Sequence, residues 1–122
     1  MAFTVEITNA SKELSKRERV DLKDLRNATK LDDALSNGNK LYITPAYYAE
    51  LSVHNDKATP QEYINFVIVS EDGEKFYTGS QSFISSFKNI DEEMDGEDYA
   101  LVIYKLPSKN YSGKEFITCS LA

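Results

Sequence analysis

From residue 41 onward the apolar residues of this chain recur at every second position, except over one stretch where they recur every three or four. Strands arranged around a single helix are the direct reading of that order of periods, and few folds accommodate it. Leu41–Thr44 is a short extended piece ending at Pro45. Tyr47–His54 alternates cleanly, with Tyr47, Ala49, Leu51 and Val53 on one face and Tyr48, Glu50, Ser52 and His54 on the other, as a half-buried strand does. Asn55–Pro60 reads as a loop. Glu62–Val69, rich in β-branched and aromatic residues, predicts a more buried strand. Glu71-Asp-Gly-Glu74 then predicts a hairpin turn, with Lys75–Thr78 as the return strand. Over 80–94 the period lengthens: Phe83, Ile84, Phe87, Ile90 and Met94 form one helical stripe. Thr78 or Ser80 supplies the cap and Asp95-Gly96 the stop. Tyr99–Leu106 and Glu115–Leu121 predict two closing strands joined by a loop over 107–113.

Strand, strand, strand, helix, strand, strand is the order of an OB-fold, a five-stranded Greek-key barrel with a helix between strands 3 and 4. The expected fold is therefore mainly β, of the α+β kind, with an OB-like barrel over 41–122. A generic α+β sheet carrying one packed helix has the same order. Residues 1–40 read as an N-terminal extension packing on the barrel. It has a strand at Phe3–Ile7 and one or two amphipathic helical pieces over 11–36, marked by Val20, Leu22, Leu25, Ala28, Leu31 and Leu35. A turn cluster, Ser36-Asn-Gly-Asn39, ends them. At 122 residues the whole fits a single domain, 1–122, able to bury a core without metal or disulfide support.

Composition removes several function classes. One cysteine, Cys119, excludes an intramolecular disulfide framework and a multi-cysteine zinc site, and suits a reducing compartment. One histidine, His54, excludes His-pair metal motifs and has no neighbouring Ser or Cys motif to complete a nucleophile arrangement. Asp32-Asp33 and Asp91–Glu93 are carboxylate clusters without the loop pattern of a Mg²⁺ or Ca²⁺ site. No phosphate-cradling glycine loop and no nucleophile elbow occurs. The expectation is no enzyme, no metal and no cofactor. No apolar run approaches the ~20 residues that span a bilayer, and the first residues do not read as a signal peptide, so a cytoplasmic location without a membrane partner is expected.

The formal charge of −6 argues against coating duplex DNA by bulk attraction, but the charge is segregated. Residues 71–98 hold nine Asp or Glu against Lys75 and Lys88, whereas 99–122 hold three Lys against Glu115. Those lysines cluster in Lys105-Leu-Pro-Ser-Lys109-Asn-Tyr111-Ser-Gly-Lys114, the loop between the last two strands. In an OB-fold this loop is one of two that clamp nucleic acid: Lys105, Lys109 and Lys114 would neutralise phosphates and Tyr111 would stack. The other clamp loop, Asn55–Pro60, offers Lys57. Three tyrosines fall opposite apolar strand positions: Tyr48, Tyr63 (against Ile64, Phe66 and Ile68) and Tyr77 (against Phe76). Exposed aromatics on a sheet stack unpaired bases without reading sequence; the same rings can instead cover the core with their hydroxyls in water.

Two runs resemble the short single-stranded DNA-binding proteins encoded by tailed phages of low-GC bacteria. They are Tyr77-Thr-Gly-Ser-Gln-Ser-Phe83, entering a helix that ends Glu92-Glu-Met94, and Pro107-Ser-Lys-Asn-Tyr-Ser-Gly-Lys-Glu-Phe-Ile-Thr-Cys119. The resemblance follows the order of elements over roughly residues 20 to 122. It implies an OB-like fold, a place in the host cytoplasm, and non-sequence-specific binding of single-stranded DNA during phage replication or recombination. Replication or recombination proteins would be partners, and Lys105, Lys109, Tyr111 and Lys114 would lie at the strand. Cellular proteins of this class often end in an acidic recruiting tail, whereas here the last residues are apolar, Phe116–Leu121, and the internal acids of 91–98 would have to substitute. A homodimer would lengthen the binding track, though nothing in the sequence requires one. The rival expectation is an acidic phage-encoded inhibitor of a host protein, in which Glu92, Glu93, Asp95, Glu97 and Asp98 imitate a row of phosphates.

Overall fold

The computed structural model describes residues 3–55, 61–107 and 114–122. In chain order the elements are β1 (Phe3–Ala10), α1 (Lys16–Lys23), a turn at Leu25–Asn27, β2 (Ala28–Lys30), α2 (Leu31–Ala34), a turn at Ser36–Gly38, β3 (Leu41–Ile43), β4 (Pro45–Asn55), β5 (Gln61–Ser70), β6 (Lys75–Thr78), α3 (Gln81–Met94), β7 (Leu101–Pro107) and β8 (Glu115–Leu121). The strands form a five-stranded sheet, β1-β4-β5-β6-β2, and a three-stranded sheet, β3-β7-β8. The chain is thus mainly β and of the α+β kind. The expected closed barrel does not form: among the described residues no pairing closes either sheet. The extended run Leu41–Asn55 is interrupted at Thr44, so β3 joins one sheet and β4 the other. Proline has no N–H to give to a ladder, and Pro45 is tolerated here as the first residue of β4. By compactness the chain divides into two units, each drawn from two stretches: Met1–Thr29 with Ala46–Gly79, and Lys30–Pro45 with Ser80–Ala122.

In the first unit β1 runs antiparallel to β4, with Val5 opposite Val53 and Ile7 opposite Leu51 and a bulge between Ile7 and Asn9. The alternation of β4 places Ala49 and Leu51 in a buried cluster with Leu22, Val67 and Val69, against which Val5, Ile7, Leu14, Tyr47 and Tyr77 pack. Leu22 is the contribution of α1. Val20, part of the same expected stripe, is exposed. Two positions along a helix are roughly 200° around its axis, so one helix cannot aim both side chains at the sheet. A capping box starts α1: Ser15 Oγ accepts from the Glu18 N–H at 3.2 Å, and Glu18 Oε1 accepts from the Ser15 N–H at 2.9 Å. Lys12 reaches Glu18 at 2.6 Å and lies 4.6 Å above the Tyr47 ring. Its hydrogen bond holds the Glu18 carboxyl below the ordinary range. At the other end of α1, Lys75 Nζ donates to the Asp21 and Asp24 carbonyls at 2.6 and 2.8 Å, placing a cation where the helix dipole favours one. The Asp-Gly turn forms as expected, with the Gly73 N–H donating to the Ser70 carbonyl and Gly73 at φ 86°.

In the second unit α3 begins at Ser80, whose Oγ accepts from the Phe83 N–H, and ends on left-handed Asp95 (φ 46°) and Gly96 (φ 88°). Phe83, Ile84 and Phe87 are buried, the two phenylalanines meeting edge to face at 6.0 Å. Ser82 Oγ donates to the Ile117 carbonyl at 2.9 Å and Ser86 Oγ lies 3.2 Å from Thr118 Oγ1, so serines along α3 hold β8, an edge strand of its sheet. Leu31, Leu35, Ile43, Leu101, Ile103 and Ile117 are buried. Cys119 is buried too, and that burial raises its thiol pKa to about 11. No helix among the described residues is long and apolar enough to cross a membrane.

Candidate nucleic-acid interface

The register of the three-stranded sheet sorts its side chains into two faces. Tyr42 lies opposite Val102, Tyr104 opposite Thr118 and Leu106 opposite Phe116. Directly opposed residues share a face, so these six line one side. Ile43, Leu101, Ile103, Ile117 and Cys119, all buried, occupy the other together with the half-buried Leu41 and Lys105 and the exposed Leu121. On the first side Tyr42 is 66% exposed, Leu106 40% and Phe116 36%. Successive same-face rows along a strand are ~7 Å apart. The face therefore offers aromatic and aliphatic surface in steps. Tyr104 is held by its hydroxyl, 2.8 Å from Ser120 Oγ, and Lys40 Nζ sits 5.8 Å from its ring centroid.

A groove of about 270 Å³ opens at the start of β3, where β7 continues past it. Its lining includes Lys40, Tyr104, Lys105, Leu106 and Glu115, with the Ser36–Gly38 turn along one wall. Asn37 and Gly38 are both left-handed, at φ 60° and 76°. Lys105 Nζ is 3.3 Å from Asp32 Oδ1.

The residues expected to bind nucleic acid are placed unevenly. Tyr48 is half-buried and stacks on Phe66, with ring centroids 5.2 Å apart. Tyr77 lies opposite Val67 and packs on the cluster that Leu22 of α1 joins. Phe66 lies opposite Thr78, so Tyr48 and Tyr77 are on opposite faces of their sheet. These two rings therefore share no aromatic face. In adjacent strands, which face a residue takes is set by register, and a two-residue period read within each strand does not supply it. The side chain of Tyr63 and all of Lys57, Lys109 and Tyr111 lie outside the described residues. Lys105 is half-buried and ion-paired, and Lys114 is exposed.

The acidic residues of the rival expectation, Glu92, Glu93, Asp95, Glu97 and Asp98, are all exposed, at the end of α3 and in the turn after it. Asp91, one step before them, accepts from the Tyr99 hydroxyl at 2.9 Å. Among the described residues no group of three or more His, Cys, Asp or Glu is placed to hold a metal ion.

The exposed Tyr42, Phe116 and Lys40 and the half-buried Tyr104 were not singled out from sequence. Alternation over 101–106 separates Tyr104 from its buried neighbours, but Leu41–Thr44 is too short for alternation to say which face Tyr42 takes. Comparison with protein-family models, curated proteins and solved structures finds no match to this chain.

Proposed function

We propose that this chain binds single-stranded DNA without reading its sequence. The observation that carries the reading is the exposed face Tyr42–Tyr104–Leu106–Phe116, with Lys40 beside it and Lys114 at the entry to β8. Aromatic rings accept any base by stacking, at ~1–3 kcal/mol each, and lysines at the rim add sequence-independent attraction to phosphates. The stretch 108–113, with Lys109 and Tyr111, adjoins this face in sequence. An OB-like arrangement is the finer reading of the fold. It is supported by the order β4, β5, β6, α3, β7, β8 and by the run Leu41–Asn55 serving both sheets, as the long first strand of such a fold does. The resemblance of 77–94 and 107–119 to phage single-stranded DNA-binding proteins points the same way. On that reading the protein acts in the host cytoplasm, alongside replication or recombination proteins.

Anisotropy of a labelled oligo-dT, beside a duplex of equal length, tests this at about 50 and 200 mM salt, a range over which phosphate-driven binding weakens strongly. Tight single-strand binding that salt weakens, with the duplex bound less well, is the expected result. Equal affinity for the duplex, or none for the single strand, overturns the reading. Replacing Lys105, Lys109 and Lys114 together by Glu should abolish binding; unchanged affinity removes the loop from the interface.

A second reading rests on the five exposed acids of the α3 end, which oppose the helix dipole and so do not serve the helix. It takes the protein as an inhibitor that docks this row on a host protein. No oligonucleotide binding, together with a protein partner lost when Glu92, Glu93, Asp95, Glu97 and Asp98 are neutralised, would favour it.

A further inference from the structure

We infer that the groove between the Ser36–Gly38 turn and β7 is a phosphate subsite: Lys40 and Lys105 hold one phosphate group, and Asp32 is the resident counter-ion that the phosphate displaces. The inference rests on the single-strand reading above and extends it to Asp32 and the Ser36–Gly38 turn, which that reading leaves without a role.

The groove brings two lysines from distant parts of the chain to one concavity. Lys40 approaches from the turn side and is kept near the Tyr104 ring by cation–π attraction at 5.8 Å. Lys105 arrives from β7, and Asp32 at 3.3 Å already occupies its ammonium. The Asp32 side chain in this pair is half exposed, so the pair is a solvent-screened one of low net worth, and a stronger anion can replace it. The size fits one unit of a polymer: about 270 Å³ falls just short of the ~300–1,000 Å³ of pockets that enclose a whole small-molecule ligand. Tyr104 and Leu106 belong both to the groove and to the exposed aromatic face. A phosphate held here therefore lies beside bases stacked on that face. Glu115 on the lining opposes anions and keeps the site from trapping a small anion on its own strength.

The sign of the acid's effect is the discriminating test. Oligo-dT binding is measured across salt for the wild type, Lys40→Gln, Asp32→Asn and Glu97→Gln, the last removing an acid that is not part of the groove. Circular dichroism confirms that each is folded. Lys40→Gln is expected to weaken binding several-fold and to flatten the slope of log affinity against log salt by about 0.7, one phosphate's worth on a single strand. Asp32→Asn is expected to tighten binding several-fold, beyond any effect of Glu97→Gln. If both groove variants behave like Glu97→Gln while the wild type binds, the subsite is overturned and the single-strand reading survives. If the wild type binds no oligonucleotide, both fall. Inorganic phosphate at constant ionic strength separates the two sources of the ligand. Competition in the wild type that Lys40→Gln abolishes assigns the groove to free phosphate as well. No competition, together with the expected lysine and aspartate effects, assigns it to the diester of the strand.

Discussion

Tyr42 and Phe66 show how differently two aromatic residues of strands can be used. Phe66 is wholly buried beneath Tyr48, whereas Tyr42 stands mostly in water. Phe66→Ala is expected to cost ~3–5 kcal/mol of stability in urea unfolding, as truncation of a buried ring does. Tyr42→Ala is expected to shift stability by less than about 0.5 kcal/mol and yet to weaken oligo-dT binding by ~1–3 kcal/mol. A Tyr42→Ala variant that binds normally would remove the ring from the interface. A third residue sets a pH response. Hydrogen bonds from Arg26 to Asp24, at 2.9 and 3.0 Å from its side chain, hold the Asp24 carboxyl at about 2 against an ordinary 3.8. The native state therefore keeps this charge when the unfolded chain has begun to lose it. The resulting stability is present above pH 3.8 and disappears as pH falls towards 2. Asp24→Asn should flatten the fall of the urea midpoint across that window. At this scale the sequence was readable where a residue's own strand sufficed. Tyr47, Ala49, Leu51 and Val53 were assigned to one face correctly. Tyr77 has neighbours from β5 and α1, and no local period encodes them.

Elements were the most legible level, because period and caps are local. The helix over 81–94, its Ser80 cap, its Asp95-Gly96 stop and the Asp-Gly hairpin all stand where the residues put them. Ser80→Ala is expected to cost about 1 kcal/mol through the lost cap bond, read from urea unfolding. The stretch 11–36 was harder. Its leucines suggested helical pieces, but three-residue β2 intervenes between α1 and α2. A three-residue strand leaves no period to detect, and Val20 turns outward because it stands roughly 200° around α1 from the buried Leu22. From β3 onward the strand bounds fall within about two residues of those read from the sequence, whereas β1 runs on to Ala10, where no Gly, Pro or Asp stops it.

The level of the whole molecule was least legible, because sheet membership is a matter of pairing between distant residues. Leu41 pairs with Ile103, and nothing near either residue announces the other. The order of elements suited an OB-like barrel, and the pairings give two sheets. Each compact unit is assembled from two separated stretches. Residues 80–122 made alone lack β3 and the buried Leu31, Leu35 and Ile43, so that fragment is expected to give the circular dichroism of an unfolded chain; a native-like spectrum would show the second unit to be independent of 30–45. Cys119 gives the same unit a built-in stopwatch. It is the chain's only thiol, it lies buried in β8, and its proton is held up to about pH 11. A thiol reagent at neutral pH must wait for the sheet to open, so the labelling rate counts openings with no engineered probe. A ligand that grips only the closed sheet lengthens the wait by the factor 1 + [L]/Kd. Oligo-dT should therefore slow Cys119 labelling in proportion to its concentration, and the slope of that delay reads the affinity of the very sheet on which Tyr42, Tyr104 and Phe116 are displayed.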